Sequence, residues 1–599
     1  MNKMATLPQR SEVSVDDTWD LTELFPQDSA WESAFKEFEA KIPGYAQFQG
    51  KLADATRLAE CLEFDSGLDR MGERLGTYAF LKSTEDQANQ DYQRMVGRFQ
   101  NLAMKAGEAQ SFIRPEVLSL DDDIFAKLID DPKLKKFRLL LDRLRRYKPH
   151  TLTLREEQLL AMQSEMAGAT SHIFRQLHDA DMKFGEIEDE SGTKIELGNS
   201  TFQQLLQSPN RDVRAKAFHQ YYEQFESHKH SLAAMLNGSI QKDVYYARAR
   251  NYASARDQAL FSDDVPVSVY DNLIAAVRKN LPALHRYYDL RRRKMNLPDI
   301  HHYDTYVPIL SDLQVQTSWD QAVEMVTKAL QPLGSEYCTA LEAGLRGRWC
   351  DRYPNRGKQS GAFSAGGYDG PPYIMMNYKP SVLNDVFTLA HEAGHSMHTW
   401  HSVRHQPYEY YNYTIFVAEV ASTFNEQLLS HHLLGIAPDD RQRAFILNNE
   451  IDDIRATVFR QTMFAEFEKI THEMAEQGEP LTIETLQKIY GELLKDYFGP
   501  EFVMDPELSL ECLRIPHFYR AFYVYKYATG MSAAIALSQR VLNGSQSELD
   551  DYLGFLKGGS SKYPLDLLRG AGVDLEKPEP VDTALQHFSE LVDRLETLL

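Results

Sequence analysis

The sequence is poor in cysteine and in long apolar runs. It has 4 cysteines among 599 residues, and no Cys-x-x-Cys pair indicates a zinc ribbon or a redox centre. No stretch approaches the roughly 20 apolar residues that a bilayer-spanning helix needs. These absences predict reduced, mostly structural thiols and a protein that does not enter a membrane.

Positive charge is also in deficit. The chain has 65 Lys and Arg against 87 Asp and Glu, a formal charge of −22, which argues against binding to nucleic acid or to anionic membrane. Two basic runs, residues 133–148 and 291–294, alternate with apolar residues at helical spacing and favour solvated helix faces. The first residues resemble neither a signal peptide nor a transit peptide, so we expect a cytoplasmic protein. The oligomeric state stays open.

The pattern of apolar and polar residues changes near residue 198. Helix formers dominate the first 175 residues, and residues 178–199 then alternate apolar and polar positions about an Asp-Glu-Ser-Gly turn, which is typical of a β-hairpin. A chain of this length exceeds what one compact core usually holds. We therefore predict an N-terminal helical domain over residues 1–198 that ends in the hairpin, and a second domain over residues 199–599.

A glycine-rich segment interrupts the second domain at about residues 355–380. Its glycines and paired prolines exclude a helix, whereas residues 361–364 and 373–378 suit short extended segments. The segment predicts a small β element with an exposed edge strand.

The run His-Glu-Ala-Gly-His follows at residues 391–395, inside a predicted helix over about residues 382–400. Because His391 and His395 are four residues apart, both project from one helix face and can bind one zinc ion. Glu392 lies about 100° further around the helix, a position that suits a general base acting on water. Since His-Glu-x-x-His arises by chance in roughly one chain in twenty of this length, the motif needs a third ligand to support it.

Glu419 is the candidate third ligand, on a second predicted helix over about residues 413–430. It sits in an apolar run, where a buried carboxylate costs several kcal/mol unless a cation compensates it. Two His and one Glu leave one coordination position open, as in catalytic zinc sites. The alternative is a salt-bridged core acid. Glu426 either supports the site or is simply solvated.

Three more histidines follow the motif. His398 lies on the same helix face as His391 and is expected to support the site or to pack. His401 and His405 lie in an increasingly polar stretch and are expected at the surface.

With these residues in hand, the sequence resembles the oligoendopeptidase F group of thimet-oligopeptidase-like zinc metallopeptidases. The matching stretches run almost from end to end: TWDLTELF, GKQSGAFSAGGYDGPPYIMMNY, LAHEAGHSMH, AEVASTFNE and IPHFYRAFYVYKYATG. The resemblance implies one zinc ion on His391, His395 and Glu419, with Glu392 as base and proton shuttle. It also implies a mainly α, two-lobed fold with a zincin-like catalytic core, whose deep central cleft admits short unstructured peptides.

The resemblance assigns further roles outside the metal set. His517 and Tyr519 are expected to hydrogen-bond the tetrahedral oxyanion, although Arg520 stands where another Tyr is common in the family. Residues 361–364 are the candidate edge strand to which a peptide adds itself, and residues 366–368 a candidate loop that covers the substrate.

Taken together, these features predict a zinc endopeptidase that cleaves short oligopeptides. One alternative is a zinc carboxypeptidase or dipeptidase with the same ligands. The other is a helical peptide-binding scaffold with a dead site.

Overall fold

The computed structural model describes residues 7–310 and 316–599, and this part of the chain is mainly helical, as the sequence predicts. None of its helices combines the length and the apolar character that a membrane span requires. The α-helices are α1 (Asp28–Lys41), α2 (Ala55–Glu85), α3 (Gln90–Gln110), α4 (Ile113–Ser119), α5 (Asp122–Ile129), α6 (Arg138–Arg145), α7 (Leu154–Met162), α8 (Ser164–Arg175), α9 (Asn199–Leu205), α10 (Arg211–Ala249), α11 (Ala255–Phe261), α12 (Val267–Lys294), α13 (Trp319–Ala329), α14 (Ser335–Arg346), α15 (Asn384–His405), α16 (Tyr408–Tyr411), α17 (Ile415–Ile436), α18 (Asp440–Ile454), α19 (Arg460–Glu476), α20 (Ile483–Phe498), α21 (Tyr525–Asn543), α22 (Gln546–Leu556), α23 (Pro564–Gly570) and α24 (Glu579–Leu598).

The described strands are few and short. They are β1 (Glu186–Glu188), β2 (Lys194–Glu196), β3 (Cys350–Asp351), β4 (Phe363–Ala365) and β5 (Tyr373–Met375). The first two pair antiparallel, which is the hairpin that the alternating pattern predicts. The other three form a sheet in the order β3-β5-β4, with β3 parallel and β4 antiparallel to β5.

Strand β4 lies at an edge of this sheet, as the glycine-rich segment predicts. It begins two residues later than expected, because Gly361 has a left-handed backbone (φ +86°) that ends the extended stretch on its N-terminal side. Its register with β5 pairs Phe363 with Met375 and Ala365 with Tyr373. The edge strand is therefore three residues long and shifted towards the C-terminus.

The chain divides into two compact units, each assembled from three segments. Unit 1 comprises Met1–Thr151, Gln314–His432 and Leu537–Gly572; unit 2 comprises Leu152–Leu313, Leu433–Ala536 and Val573–Leu599. The boundary predicted between residues 198 and 199 coincides with no limit of these units. Each unit gathers segments that are distant in sequence, and a change of composition along the chain does not reveal such contacts.

Aromatic residues fix the small sheet within unit 1. The buried Trp31 indole of α1 donates a hydrogen bond to the Leu75 carbonyl of α2 (2.9 Å). Tyr373 and Met375 of β5 belong to the same apolar core as these helices. The N-terminal helices therefore form a base for the strand segment that precedes α15.

Buried ion pairs and hydrogen bonds hold unit 2 together. Arg214 of α10 and Asp304 are both buried and pair at 2.7 Å. The Tyr270 hydroxyl of α12 donates to the Ala465 carbonyl of α19 (2.6 Å). Helix α19 is thereby fixed against α12.

Candidate metal centre

Two helices, α15 and α17, carry the predicted metal ligands, and all three ligands lie in unit 1. Five of the six apolar positions that predict α15 are fully buried, and they are Val386, Leu389, Ala390, Ala393 and Met397. The sixth, Val382, lies before the helix and is partly buried. This packing orients the polar face of α15, which carries the two motif histidines. The helix is five residues longer at its C-terminal end than the motif region predicts, but the motif sits in its interior as expected.

Helix α17 approaches α15 very closely at Gly394. A Cβ atom on Gly394 would lie 2.5 Å from the Ala421 carbonyl oxygen and 2.5 Å from the Ser422 Cα. Asn425, one helical turn after Ala421, donates from Nδ2 to the Ala390 carbonyl (3.2 Å). The glycine and the asparagine together bring the Glu419 turn of α17 to the histidines.

The structure brings the three predicted ligands together. Glu419 Oε2 lies 3.3 Å from His391 Nε2 and 3.4 Å from His395 Nε2. One ligand atom from each residue lies within 4.8 Å of the other two. Two imidazole nitrogens and one carboxylate oxygen are the donor set of catalytic zinc sites, so the residues fit one zinc ion.

Two neighbouring side chains orient these ligands. Glu426 Oε1 lies 3.2 Å from His391 Nδ1, which leaves Nε2 of the same ring free to bind a metal. Ser422 donates from Oγ to Glu419 Oε2 (3.1 Å). The position of Glu426 beside His391 favours the interpretation that Glu426 supports the metal site over the alternative that it is simply solvated.

Glu419 is less buried than the sequence argument assumes, since its side chain is 36% exposed. The apolar run alone is therefore not what explains its position. What distinguishes Glu419 is its set of partners, which are two imidazoles and a hydroxyl.

The charges of the ligands are strongly coupled. Burial lowers the pKa of His391, but hydrogen bonds to Glu419 and Glu426 more than offset this and raise it to about 10. Burial raises the pKa of Glu419, yet the bonds to His391 and His395 hold it well below its usual range. A metal ion that binds here must displace a proton from the imidazole, because only neutral histidine is a ligand.

Glu392 is the predicted general base of the centre. Its side chain is buried on α15 between the two motif histidines. Burial raises the pKa of the Glu392 carboxyl, although His391 and His395 oppose the shift. A carboxylate with a raised pKa is a stronger base than an exposed one.

The edge strand β4 contacts the metal helix directly. Ser364 Oγ and Ser396 Oγ lie 2.8 Å apart. A Cβ atom on Gly366 would lie 2.5 Å from Thr399 Cγ2, so the glycine permits the close approach of the strand to α15. The edge strand and the metal ligands are therefore parts of one local structure.

The turn after β4, which was predicted to cover a substrate, is fastened to α2. The Tyr368 N–H donates to Glu73 Oε2 (3.1 Å), and Arg70 lies over the Tyr368 ring at 4.6 Å. Arg70 also donates from Nε to Asp369 Oδ2 (2.9 Å). Its role as a covering loop stays a prediction.

The remaining histidines of α15 separate into three environments. His398 is buried and stacks on Tyr413, with 3.7 Å between the ring centroids. The Tyr413 hydroxyl donates to the His395 carbonyl (3.3 Å). The expectation that His401 is a surface residue is wrong, because its side chain is buried and faces Tyr337 of α14 at 5.8 Å. His405 is exposed, as predicted.

His517 and Tyr519 lie in unit 2, in a short 3-10 helix over Pro516–Tyr519. His517 Nδ1 is hydrogen-bonded to the Tyr523 hydroxyl. The Tyr519 ring is buried and stacks on Phe174 at 4.4 Å, and its hydroxyl has no hydrogen-bond partner in the described part of the chain.

Sequence reasoning missed several supporting residues of the centre. They are Gly394, Tyr413, Ser422 and Asn425. The available signal was spacing, because Ser422 and Asn425 follow Glu419 by three and six residues and so lie near it on one side of α17.

Comparison with known proteins gives consistent results over the whole chain. The model of peptidase family M3 matches residues 204–587, and the model of Oligopeptidase F matches residues 116–184. Oligopeptidase PepF of Bacillus subtilis is 44% identical over 100% of this chain and 89% of its own length. An oligoendopeptidase F homolog of Borreliella burgdorferi is 39% identical over 97% of this chain and 98% of its own.

Solved structures agree with the sequence comparison. A structure from Chlamydophila abortus has a TM-score of 0.94 at 35% identity and covers 99% of this chain and 100% of that one. Oligoendopeptidase-F from Enterococcus faecium has a TM-score of 0.74, also at 35% identity, over 95% of this chain and 99% of its own.

Proposed function

Because the chain belongs to peptidase family M3, with oligopeptidase F as the matching group, we propose individual roles for the residues of its metal centre. The protein is a zinc metalloendopeptidase that hydrolyses oligopeptides. We assign zinc binding to His391, His395 and Glu419, and base catalysis to Glu392. The observation that carries the assignment is the convergence of the three ligand atoms within 4.8 Å, on two helices that Gly394 allows to touch.

Zinc bound there would supply a Lewis acid that polarises a carbonyl group and makes water more acidic. Glu392 takes the proton of the attacking water and later delivers it to the leaving amine, which is the double role of a general base and acid. Its burial beside the two histidines keeps the carboxylate from being solvated by bulk water. Glu426 holds the His391 ring in the tautomer that presents Nε2 to the metal.

Short extended peptides are the substrates that the edge strand fits best. Strand β4 pairs with β5 on one side, and within the described residues no strand pairs with its other side. A peptide can add itself there as a further strand through main-chain hydrogen bonds. Because Ser364 of β4 contacts Ser396 of α15, a peptide on this edge would lie beside the metal helix.

We further assign hydrogen bonding of the oxyanion to His517 and Tyr519. Support comes from the resemblance in this stretch, from the pairing of His517 with Tyr523, and from the unpaired Tyr519 hydroxyl. Such a donor contributes about 3 kcal/mol in the transition state. The cytoplasmic location expected from the first residues of the sequence stays a prediction.

The assignment of Glu392 and of endopeptidase activity is tested with a quenched fluorescent peptide of ten residues. Cleavage is expected to require zinc, to stop with chelator, and to be lost in Glu392→Gln while bound zinc is retained. Full cleavage by Glu392→Gln would remove the base assignment. Amidation of the peptide C-terminus is expected to leave cleavage unchanged, whereas a carboxypeptidase would need the free carboxylate.

A further inference from the structure

Phe522, close to the proposed oxyanion donors, has an unusual backbone conformation. Four described residues other than glycine have positive φ, and they are Asn251, Asp264, Asn296 and Phe522. Asn and Asp tolerate the left-handed region, but a bulky residue such as Phe does so at a cost of about 1–2 kcal/mol. The φ of +59° at Phe522 must therefore be imposed by its surroundings.

Glu468 of α19 supplies part of that constraint. Its Oε1 accepts a hydrogen bond from the Phe522 N–H (3.1 Å). The Glu468 side chain is 2% exposed, and its Oε2 has no hydrogen-bond partner within the described residues. Burial raises the pKa of Glu468 well above its usual range, which favours the neutral form of the carboxyl. A buried acid whose side chain accepts a hydrogen bond from a strained turn requires an explanation.

The same helix also holds the Phe522 side chain. His472, one turn after Glu468, packs against the Phe522 ring at 4.5 Å. His472 is itself buried, and its Nδ1 is bonded to the Glu468 carbonyl (2.8 Å). Helix α19 therefore contacts both the backbone and the ring of Phe522, which lies in the chain segment that follows His517.

We propose that Glu468 is a positioning residue, which fixes the segment 517–523 through the Phe522 N–H and so holds the paired His517 and Tyr523 in the orientation that oxyanion binding needs. The inference rests on the proposed role of His517. Glu468 does not touch the substrate; it acts through the strained turn. Its Oε1 is the acceptor for the Phe522 N–H, and the side-chain oxygen of an amide of the same length can accept the same hydrogen bond.

The matching experiment compares Glu468→Gln with Glu468→Leu in the zinc-loaded enzyme. Glu468→Gln keeps an acceptor for the Phe522 N–H, and its kcat is expected to stay within about twofold of the wild type. Glu468→Leu lacks the acceptor, and its kcat is expected to fall at least about tenfold, since small displacements of catalytic donors are costly. KM and zinc content are expected not to change, because the donors act on the transition state.

Glu466→Leu is the matched control on the same helix. Glu466 is also buried, but its side chain bonds to Arg278 (2.7 Å) and Tyr497 (3.0 Å) and not to the segment 517–523. The control is expected to lower thermal stability and to leave kcat near the wild-type value. An equal fall in kcat in Glu466→Leu would show a general stability effect and overturn the inference.

Two further variants keep the test decisive. If Glu468→Leu does not fold, Glu468→Asp removes one methylene, withdraws the acceptor from the Phe522 N–H, and is expected to show the same fall in kcat. The inference is overturned if Glu468→Gln loses as much activity as Glu468→Leu, or if neither Leu nor Asp lowers kcat.

His517→Ala separates this inference from the proposed function. If His517→Ala keeps the wild-type kcat, the donor role fails and the inference fails with it. If His517→Ala loses activity but Glu468→Leu does not, the positioning role alone is overturned. The expected result is that the double variant is no slower than His517→Ala, because both changes remove one function.

Discussion

Glu419 in unit 1 and Glu511 in unit 2 are both acids inside apolar stretches of sequence, yet their partners differ in kind. Glu511 is fully buried between Arg460 and Arg514 and accepts a hydrogen bond from the Tyr490 hydroxyl (2.9 Å). Glu419 is partly exposed, and the partners that the structure gives it are two imidazoles and one serine hydroxyl. The same local pattern therefore occurs in two different roles.

The difference shows that the compensating group, and not the apolar run, identifies a metal site. Arginine does not lose its proton in a protein. Arg460 and Arg514 therefore remain positively charged and compensate the buried negative charge of Glu511. Imidazole can lose its proton and become a ligand. A site in which histidines hold the acid can therefore exchange an imidazole proton for a metal ion, and a site in which arginines hold the acid cannot.

Removing each acid in turn is the most direct test of the difference between Glu419 and Glu511. Glu419→Ala is expected to lose the zinc ion and, with it, several kcal/mol of transition-state stabilisation, a fall of at least about 10³-fold in kcat/KM. Thermal stability of the metal-free protein is expected to change little, because the carboxylate is partly exposed. Peptide cleavage, metal analysis and thermal unfolding measure these effects; retained zinc would refute the ligand assignment.

Glu511→Leu is the matched change in unit 2. It leaves Arg460 and Arg514 near each other without their carboxylate, which is expected to lower the free energy of unfolding by about 3–5 kcal/mol. The folded fraction is expected to bind one zinc ion and to cleave peptide at the wild-type kcat. Urea unfolding and active-site titration give both quantities, and a loss of zinc in this variant would contradict the separation of roles.

Glu426→Gln tests the supporting acid of the centre. The amide weakens the interaction with His391 Nδ1, which in the present structure is 3.2 Å from the carboxylate. Loss of such a partner costs about 10–100-fold in metal affinity or activity. Competition with a zinc chelator measures the affinity. Unchanged affinity would return Glu426 to the status of a solvated acid.

A pH series of the free energy of unfolding tests the pKa of Glu511, and it is the prediction with the smallest expected effect. Burial raises the pKa of Glu511, but Arg460 and Arg514 more than offset it and hold that pKa well below the unfolded value of about 4.3. The ionised form therefore stabilises the protein above pH ~4.3, and this stability is lost as the pH falls below it, by up to about 1.4 kcal/mol per pH unit for one group. Glu511→Gln is expected to show a shallower loss of unfolding free energy over the same acid range. An identical slope in both proteins would rule out the depressed pKa.

The motif on α15 could be predicted because its geometry is local. The spacing of His391 and His395 fixes their common face, and the burial of the flanking apolar residues leaves that face free for ligands. Glu419 was found by an argument about burial that its exposure does not support, although the residue itself is in the right place. Gly394, which allows the two helices to touch, carried no signal that a single sequence could reveal.

Other errors have the same origin. His401 lies in a polar stretch but is covered by Tyr337 of another helix. Arg291 belongs to a basic run with the pattern of a solvated face, yet it is fully buried and donates to the Asp304 carbonyl (3.1 Å). In both cases the contact is made by a residue outside the helix concerned, which the pattern of that helix does not reveal.

The sequence by itself determined the helical class, the motif helix with His391, Glu392 and His395, and the edge strand near residue 363. Each depends on contacts within a few residues, which periodicity and residue type record. Only the tertiary structure decided which acids meet arginine and which meet histidine, where the chain divides, and how Glu468 reaches Phe522. Those contacts join positions far apart in the chain, and they follow from packing in three dimensions that no local pattern specifies.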